Sequence, residues 1–333
     1  MMKVNPKSHA FLSPLAAELS QFLQLKRVSG CRYLDEERLL HDLDAFLVRF
    51  LPASNPIITL DTVRAFVAQR GSESECTREH RLSLIRQVCR FLAIEEPRTT
   101  IPGPRFLGIR RRPFVARVLT AEEAQQFLQA SVLLPADSRS PLRRVVLGTA
   151  LALLLLTGLR AGEVIRLTEA DVDLINGVLR IRDTKFGKSR FVPIAEDVSR
   201  RLQQCRAEVR VRLGSRAPDC VFFPNRNGHR YSKTALRDAF HRALKIAGIP
   251  RKSGGKPLRL HDLRHSFAVL RLLIWYRQDA DLGAKLPLLA TYLGHVGLSS
   301  SQRYLQLTQD MTGEITRRFE ARFGYLVRDG RRS

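Results

Sequence analysis

The chain has 333 residues, 44% of them hydrophobic, which suggests two domains with sizeable cores and excludes wholesale disorder. Its 56 lysines and arginines against 32 acidic residues leave a net charge of +24, a surplus that points to a polyanionic partner such as nucleic acid. Ribosomal and membrane-surface proteins can be equally basic, so charge alone does not name that partner. Cys31, Cys76, Cys89, Cys205 and Cys220 are odd in number and form no CxxC pair, which fits free thiols in a reducing compartment and argues against a zinc site.

Residues 1–10 are basic but lack an apolar stretch with a cleavage site, so no signal peptide is expected. Ser13-Pro14 opens a helical pattern carrying Leu15, Leu19, Phe22 and Leu23. A second pattern places Leu39, Leu43, Phe46, Leu47 and Phe50 on one face and stops at Pro52. A third starts at a cap around Thr59-Leu60-Asp61 and carries Val63, Phe66 and Val67. A fourth, about 77–93, turns Leu84, Val88, Phe91 and Leu92 inward and leaves Arg78, Arg81, Arg86 and Arg90 on other faces. Four helices without strands make a compact bundle over residues 1–95.

Residues 96–118 read as a linker, because Pro97, Pro102, Pro104 and Pro113 prevent a continuous helix and Arg110, Arg111 and Arg112 add a block of charge. That block suits either a solvated tether or a crossing of the DNA backbone. The second domain, 119–333, opens with a capping box in which Thr120 and Glu123 close the first turn. The apolar run Val145–Leu156 is too short to span a bilayer and is flanked by Arg143, Arg144 and Arg160, so it reads as a buried helix. After Leu167 the period changes. Val172 and Leu174 lead to the hairpin signal Asn176-Gly177, Leu179 and Ile181 alternate with Arg180 and Arg182, and Phe191-Val192-Pro193-Ile194 follows a turn containing Lys185 and Lys188. Helices then resume near Asp197 and run to about Phe323. The expected fold is mainly α with a small antiparallel sheet of about three strands.

Chemistry-bearing residues concentrate in this second part. Arg160 follows the Thr157-Gly158 break, where a guanidinium can grip two phosphate oxygens at once. Lys185 sits in the strand–strand turn, with Lys188 as its rival for a role near a leaving oxygen. In His261-Asp262-Leu263-Arg264-His265, spacings of three and four put His261, Arg264 and His265 on one helical face. Histidines so spaced can chelate a metal, but no glutamate follows His261 and Arg264 between them would repel a cation, so no metal is expected. Leu293-Gly294-His295 ends a helix and is followed by a serine run that can cap the helix carrying Tyr304. Tyr292 precedes the histidine box among apolar neighbours and reads as core.

In this order the boxes resemble the tyrosine recombinase family, the phage-integrase and Xer-like enzymes. The resemblance rests on Thr157-Gly158-Leu159-Arg160-Ala161-Gly162-Glu163, the hairpin Lys185 followed by Val192-Pro193-Ile194, the box from His261 to His265, Leu293-Gly294-His295, and Tyr304. It covers about 119–307, and more loosely the N-terminal helices. The stretch 270–289 looks a few residues longer than is usual in the family, and Phe186 stands where glycine is frequent.

The resemblance implies a site-specific recombinase or integrase in which Tyr304 attacks a scissile phosphate, giving a 3′-phosphotyrosyl link and a free 5′-hydroxyl, without metal or cofactor. It implies that Arg160, Arg264 and His295 hold the phosphate, Lys185 protonates the leaving oxygen, and His261 serves as base. Glu163 and His265 would order the site from behind, with Lys188, Arg190 and Arg110–Arg112 contacting DNA. The implied partners are double-stranded DNA and three further copies of the chain in a tetramer, with accessory proteins left open, in the cytoplasm and without a membrane. A mobile-element role is preferred. Type IB topoisomerase-like relaxation and a silent DNA-binding accessory protein remain alternatives. A final amphipathic helix over Met311–Phe323 would pack on its own domain or dock on a neighbouring copy.

Overall fold

The computed structural model describes residues 10–31, 33–108, 116–182, 189–253 and 256–294. Arg110–Arg112, Lys185, Lys188, His295, Tyr304 and the expected helix at Met311–Phe323 lie outside the described residues. The chain divides into two compact units, Met1–Pro113 and Phe114–Ser333.

The first unit contains α1 (Ala16–Val28), α2 (Leu34–Phe50), α3 (Leu60–Phe66) and α4 (Glu75–Leu92). Leu19, Phe22, Leu43, Leu47, Val63, Phe66, Ile85 and Val88 form its core. The inward face of α2 is turned slightly from the expected one. Leu40 is fully buried where Leu39 is only partly covered, and Phe50 lies at the surface, stacked on Phe46 at 4.9 Å. Ahead of α1, the buried Asp44 carboxylate accepts the Leu12 and Ser13 N–H groups, both at 2.9 Å, and so fixes the entry to the bundle. α3 starts at the expected cap, with Thr59 Oγ1 accepting from the Thr62 N–H. α4 begins earlier than expected, capped by Ser74.

Arg81 departs from the sequence reading. It is 2% exposed, and its guanidinium donates to the carbonyls of Phe66 and Ala68 at the end of α3 and pairs with Glu73. Helical spacing puts Arg81 beside Leu84 and Ile85, and its long side chain reaches past them to carbonyls that α3 leaves unpaired. Replacing it with methionine removes those donors and leaves Glu73 without its partner, which is expected to cost about 3 kcal/mol. Amides of α3 should then exchange hydrogen roughly a hundredfold faster while amides of the second unit keep their rates. Unchanged α3 protection would contradict this role.

The second unit opens with α5 (Ala121–Val132), capped reciprocally by Thr120 and Glu123 as the sequence indicates. α6 (Arg143–Thr157) is the apolar helix, buried at nearly every position from Val146 to Leu155. A short α7 (Ala161–Val164) follows. β1 (Val172–Asp173), β2 (Val178–Ile181) and β3 (Arg190–Pro193) form the antiparallel sheet in that order, with Leu179 opposite Val192 and Ile181 opposite Arg190. The β1–β2 turn is held by Asp173, whose carboxylate accepts the N–H groups of Ile175 and Asn176 at 3.0 Å each. The alternation of β2 puts Leu179 and Ile181 in the core.

α8 (Glu196–Leu213) and α9 (Lys233–Ile246) continue the helical layer. A second small hairpin, β4 (Lys252–Ser253) with β5 (Lys256–Pro257), was not legible in a segment of basic residues and glycine. α10 (Asp262–Arg277) and α11 (Leu282–Leu293) complete the described chain. Pro287 lies inside α11, so the longer stretch noted at 270–289 is accommodated as the end of one helix, a turn and most of the next. Among the described residues no helix is long and apolar enough to cross a membrane. All five cysteines are free thiols.

Candidate active site

The site is assembled on the ends of two helices of the second unit, α6 and α11, each stopped by a glycine. α6 stops at Gly158, whose φ of +63° is left-handed and whose Cβ, if present, would lie 2.5 Å from Phe267 Cδ1 and 2.8 Å from Leu293 Cδ2. α11 stops at Gly294 with φ +69°, where a Cβ would lie 2.8 Å from Arg190 Nη1. Each end turns its last carbonyls toward a neighbour. Arg264, 2% exposed, collects both sets: Nη1 donates to Gly158 O at 2.8 Å and Nη2 to Leu293 O at 2.6 Å. A buried guanidinium is tolerable there because the negative ends of two helix dipoles face it.

Arg160 leaves the Gly158 turn in an extended conformation and caps α7. Glu163 accepts the Arg160 N–H on Oε2 and Nη1 on Oε1, both at 2.9 Å. From the other side Arg190 of β3 binds the same carboxylate with both terminal nitrogens, at 3.1 and 3.0 Å. Arg190 Nε donates to Tyr292 O at 2.9 Å, and Arg160 Nη2 reaches Gly294 O at 3.3 Å. Burial alone would raise the Glu163 carboxyl, but the hydrogen bonds and charge of Arg190, followed by those of Arg160, hold it down at about 2. Glu163 and Arg190 side chains are 2% and 11% exposed, and Arg160 is 35% exposed. Of these three arginines, Arg160 is the one whose side chain is substantially open to a ligand.

His261 stands at the start of α10, its ring 4.9 Å from that of His265 and nearly perpendicular to it. Desolvation by its neighbours, then the charge of Arg264, lowers the His261 pKa, against the opposing pull of Asp262. His261 is accessible at the surface, and its lowered pKa favours the neutral form that can accept a proton. His265 is pushed to about 4, by burial first and by His261 next. Asp262, fully buried, holds Arg259 through its backbone N–H at 2.7 Å and Nη2 at 3.0 Å, which anchors the first turn of α10. Among the described residues no group of three His, Cys, Asp or Glu side chains could hold a metal ion.

The structure thus brings Arg160, Glu163, His261, Arg264 and His265 together. Arg190, expected to contact DNA, instead faces inward against Glu163 and Tyr292 O. The signal was present in the alternation: Arg190 shares a strand face with the buried Val192. Tyr292 is unsuited to compete as a nucleophile. Its hydroxyl donates to Pro193 O at 3.2 Å, its ring stacks on Phe267, and burial pushes its pKa up to about 12.

Residues 117–311 match the phage integrase family. The chain belongs to that family. It is 33% identical over 305 residues to a Sinorhizobium fredii protein named as an integrase/recombinase, y4rE, with 91% of this chain and 94% of the relative covered. Its fold is that of the XerH site-specific recombinase bound to palindromic difH substrate, with a TM-score of 0.64 at 18% identity over 95% of this chain and 99% of the other. The Tn1549 transposon integrase in complex with transposon right end DNA gives a TM-score of 0.62 at 16% identity, covering 91% of this chain and 98% of that one. The mainly helical unit with its small antiparallel sheet therefore has the fold of the phage integrase family.

His265 is expected to make the fold sensitive to acid. An unfolded histidine titrates near 6.5, so between about 6.5 and 4 the unfolded chain holds the extra proton. The stability contributed by the neutral ring is complete above that window and is lost as pH falls through it. Replacing His265 with asparagine should flatten the pH dependence of unfolding by up to one proton, read from the fluorescence of the single tryptophan, Trp275, in α10. An unchanged slope would contradict the assignment.

Proposed function

We propose that the protein is a site-specific DNA recombinase that cuts and rejoins double-stranded DNA through Tyr304. The observation that carries this reading is Arg160, about a third exposed and fixed by Glu163, with Arg264 anchored behind it and His261, its pKa lowered, alongside. Membership of the phage integrase family supports it, as does the recombinase named among its relatives.

A phosphodiester resists attack because its charge repels nucleophiles and accumulates on its non-bridging oxygens in the transition state. Arg160 is suited to neutralise that charge in a fixed geometry, where loss of one such donor costs roughly 3–4 kcal/mol. In the proposed reaction Tyr304 Oη attacks phosphorus, its proton passes to a base for which His261 is the candidate, and the bond to the 5′-oxygen breaks. Lys185 or Lys188 gives that oxygen its proton. His295, which follows Gly294 in the chain, would hold a phosphate oxygen. The free 5′-hydroxyl of a second strand then attacks the 3′-phosphotyrosine, regenerating the phosphodiester and the tyrosine without any external energy source.

In the same proposal residues 1–95 grip the duplex, 96–118 cross its backbone through Arg110–Arg112, and four copies assemble on paired sites. A role in moving a mobile element is supported by the likeness to a transposon integrase, and the free thiols fit work in the cytoplasm.

The test uses nicked duplexes carrying the sequences that flank the gene, incubated without metal and run on a denaturing gel. The native protein should give a covalent protein–DNA band, and Tyr304→Phe should bind the duplex yet give none. A covalent band that persists in Tyr304→Phe would overturn the assignment. Relaxation of supercoiled DNA without any strand exchange would replace recombination with topoisomerase activity.

A further inference from the structure

Glu163 is almost wholly buried, yet the only partner that its own turn supplies is Arg160, whose side chain is about a third exposed and open to competition from water. A carboxylate in that situation would gain by swinging toward solvent and taking Arg160 with it. It is held by Arg190. The Arg190 fork closes on both carboxylate oxygens from the protein side, at 3.1 and 3.0 Å, while Nε is anchored on Tyr292 O at 2.9 Å. A lysine could not make these three bonds at once, since it offers a single nitrogen. The packing leaves no slack around the fork: a methyl group on Gly294 would already lie within 3.2 Å of three Arg190 atoms.

We propose that Arg190 is a positioning residue for the phosphate-binding arginine. Through Glu163 it sets the direction of the Arg160 guanidinium, and through Tyr292 O it links that setting to the end of α11. The inference rests on the recombinase reading for its catalytic consequence, though the geometry it predicts exists without DNA. Three chain segments distant in sequence meet at this residue: the turn after α6, strand β3 and the end of α11. The strongly lowered pKa of Glu163 agrees with it, because among the influences that lower it Arg190 comes ahead of Arg160. Arg190 does not itself present a surface to DNA, being 11% exposed.

The test has one arm without DNA and one with it. In full-length protein labelled with 15N-arginine, the bonds from Arg160 to Glu163 should slow rotation of its guanidinium and give separate Nη resonances. Arg190→Met should collapse them, whereas Arg200→Met, on the exposed face of α8, should leave them intact. Separate Arg160 resonances in Arg190→Met would overturn the proposal, whatever the protein does to DNA.

On a nicked duplex that the native protein cleaves and Tyr304→Phe does not, Arg190→Met should slow single-turnover cleavage at saturating DNA by about tenfold to a hundredfold, as misplacement of a catalytic group by about 1 Å does. Its Kd should stay within about threefold of native, because phosphate contacts elsewhere carry the affinity. Arg190→Lys, which preserves the charge and is the variant to use if Arg190→Met fails to fold, should show most of the same rate loss. Glu163→Gln combined with Arg190→Met should be no slower than the slower single variant. A Kd that weakens in step with the rate, or additive losses in the double variant, would mean that Arg190 is a DNA contact or a general stabiliser and would overturn the proposal. Native protein that cleaves no duplex would count against the recombinase reading and leave the resonance arm to decide the position of Arg160.

Discussion

The second unit depends on a cation that it has buried. Arg264 lies where α6 and α11 end, and its two terminal nitrogens take the carbonyls of Gly158 and Leu293. Helix ends leave such carbonyls unpaired, and the dipole of each helix is negative there. The guanidinium satisfies both ends at once and fixes their separation. Both glycines follow from the same constraint. A side chain at Gly158 would strike Phe267 and Leu293, and one at Gly294 would strike Arg190, so neither helix could approach the arginines so closely.

Around that anchor the charges are arranged in order of exposure. Arg264 is inside, Arg190 is nearly so, and Arg160 reaches the surface. Glu163 is the only carboxylate bonded to this group of arginines among the described contacts, and it is shared by Arg160 and Arg190. Three guanidinium groups against one carboxylate leave an excess of positive charge at a place with reduced solvent screening. That excess suits the binding of an anion at Arg160, and the charge of Arg264 adds to desolvation in lowering the His261 pKa.

Much of this was legible in the sequence, because the elements are coded locally. The run Val145–Leu156, the Thr120–Glu123 box and the Asn176-Gly177 turn each announce their structure by composition and spacing. Arg160, Arg264 and Glu163 could be picked out from the boxes in which they stand. What those boxes could not reveal was which charges turn inward. Arg81 and Arg190 both looked like surface arginines, and both are buried on carbonyls and carboxylates supplied by residues remote from them or by the end of another helix. Strand alternation pointed to Arg190, but the length and charge of an arginine suggest the surface, and only the distant partner makes burial tolerable. The β4–β5 hairpin escaped for another reason: two-residue strands carry no period to read.

One buried arginine holds the ends of α6 and α11 together and so assembles the site. Hydrogen–deuterium exchange of the full chain with Arg264 replaced by lysine tests it most directly, because lysine keeps the charge but cannot bond both carbonyls in the same way. Exchange should quicken only in the last turns of α6 and α11 and in the Arg160 turn, with α5 and the sheet protected as before. Native protection at both helix ends would contradict it, and the clamp would then be a consequence of the packing and not its cause.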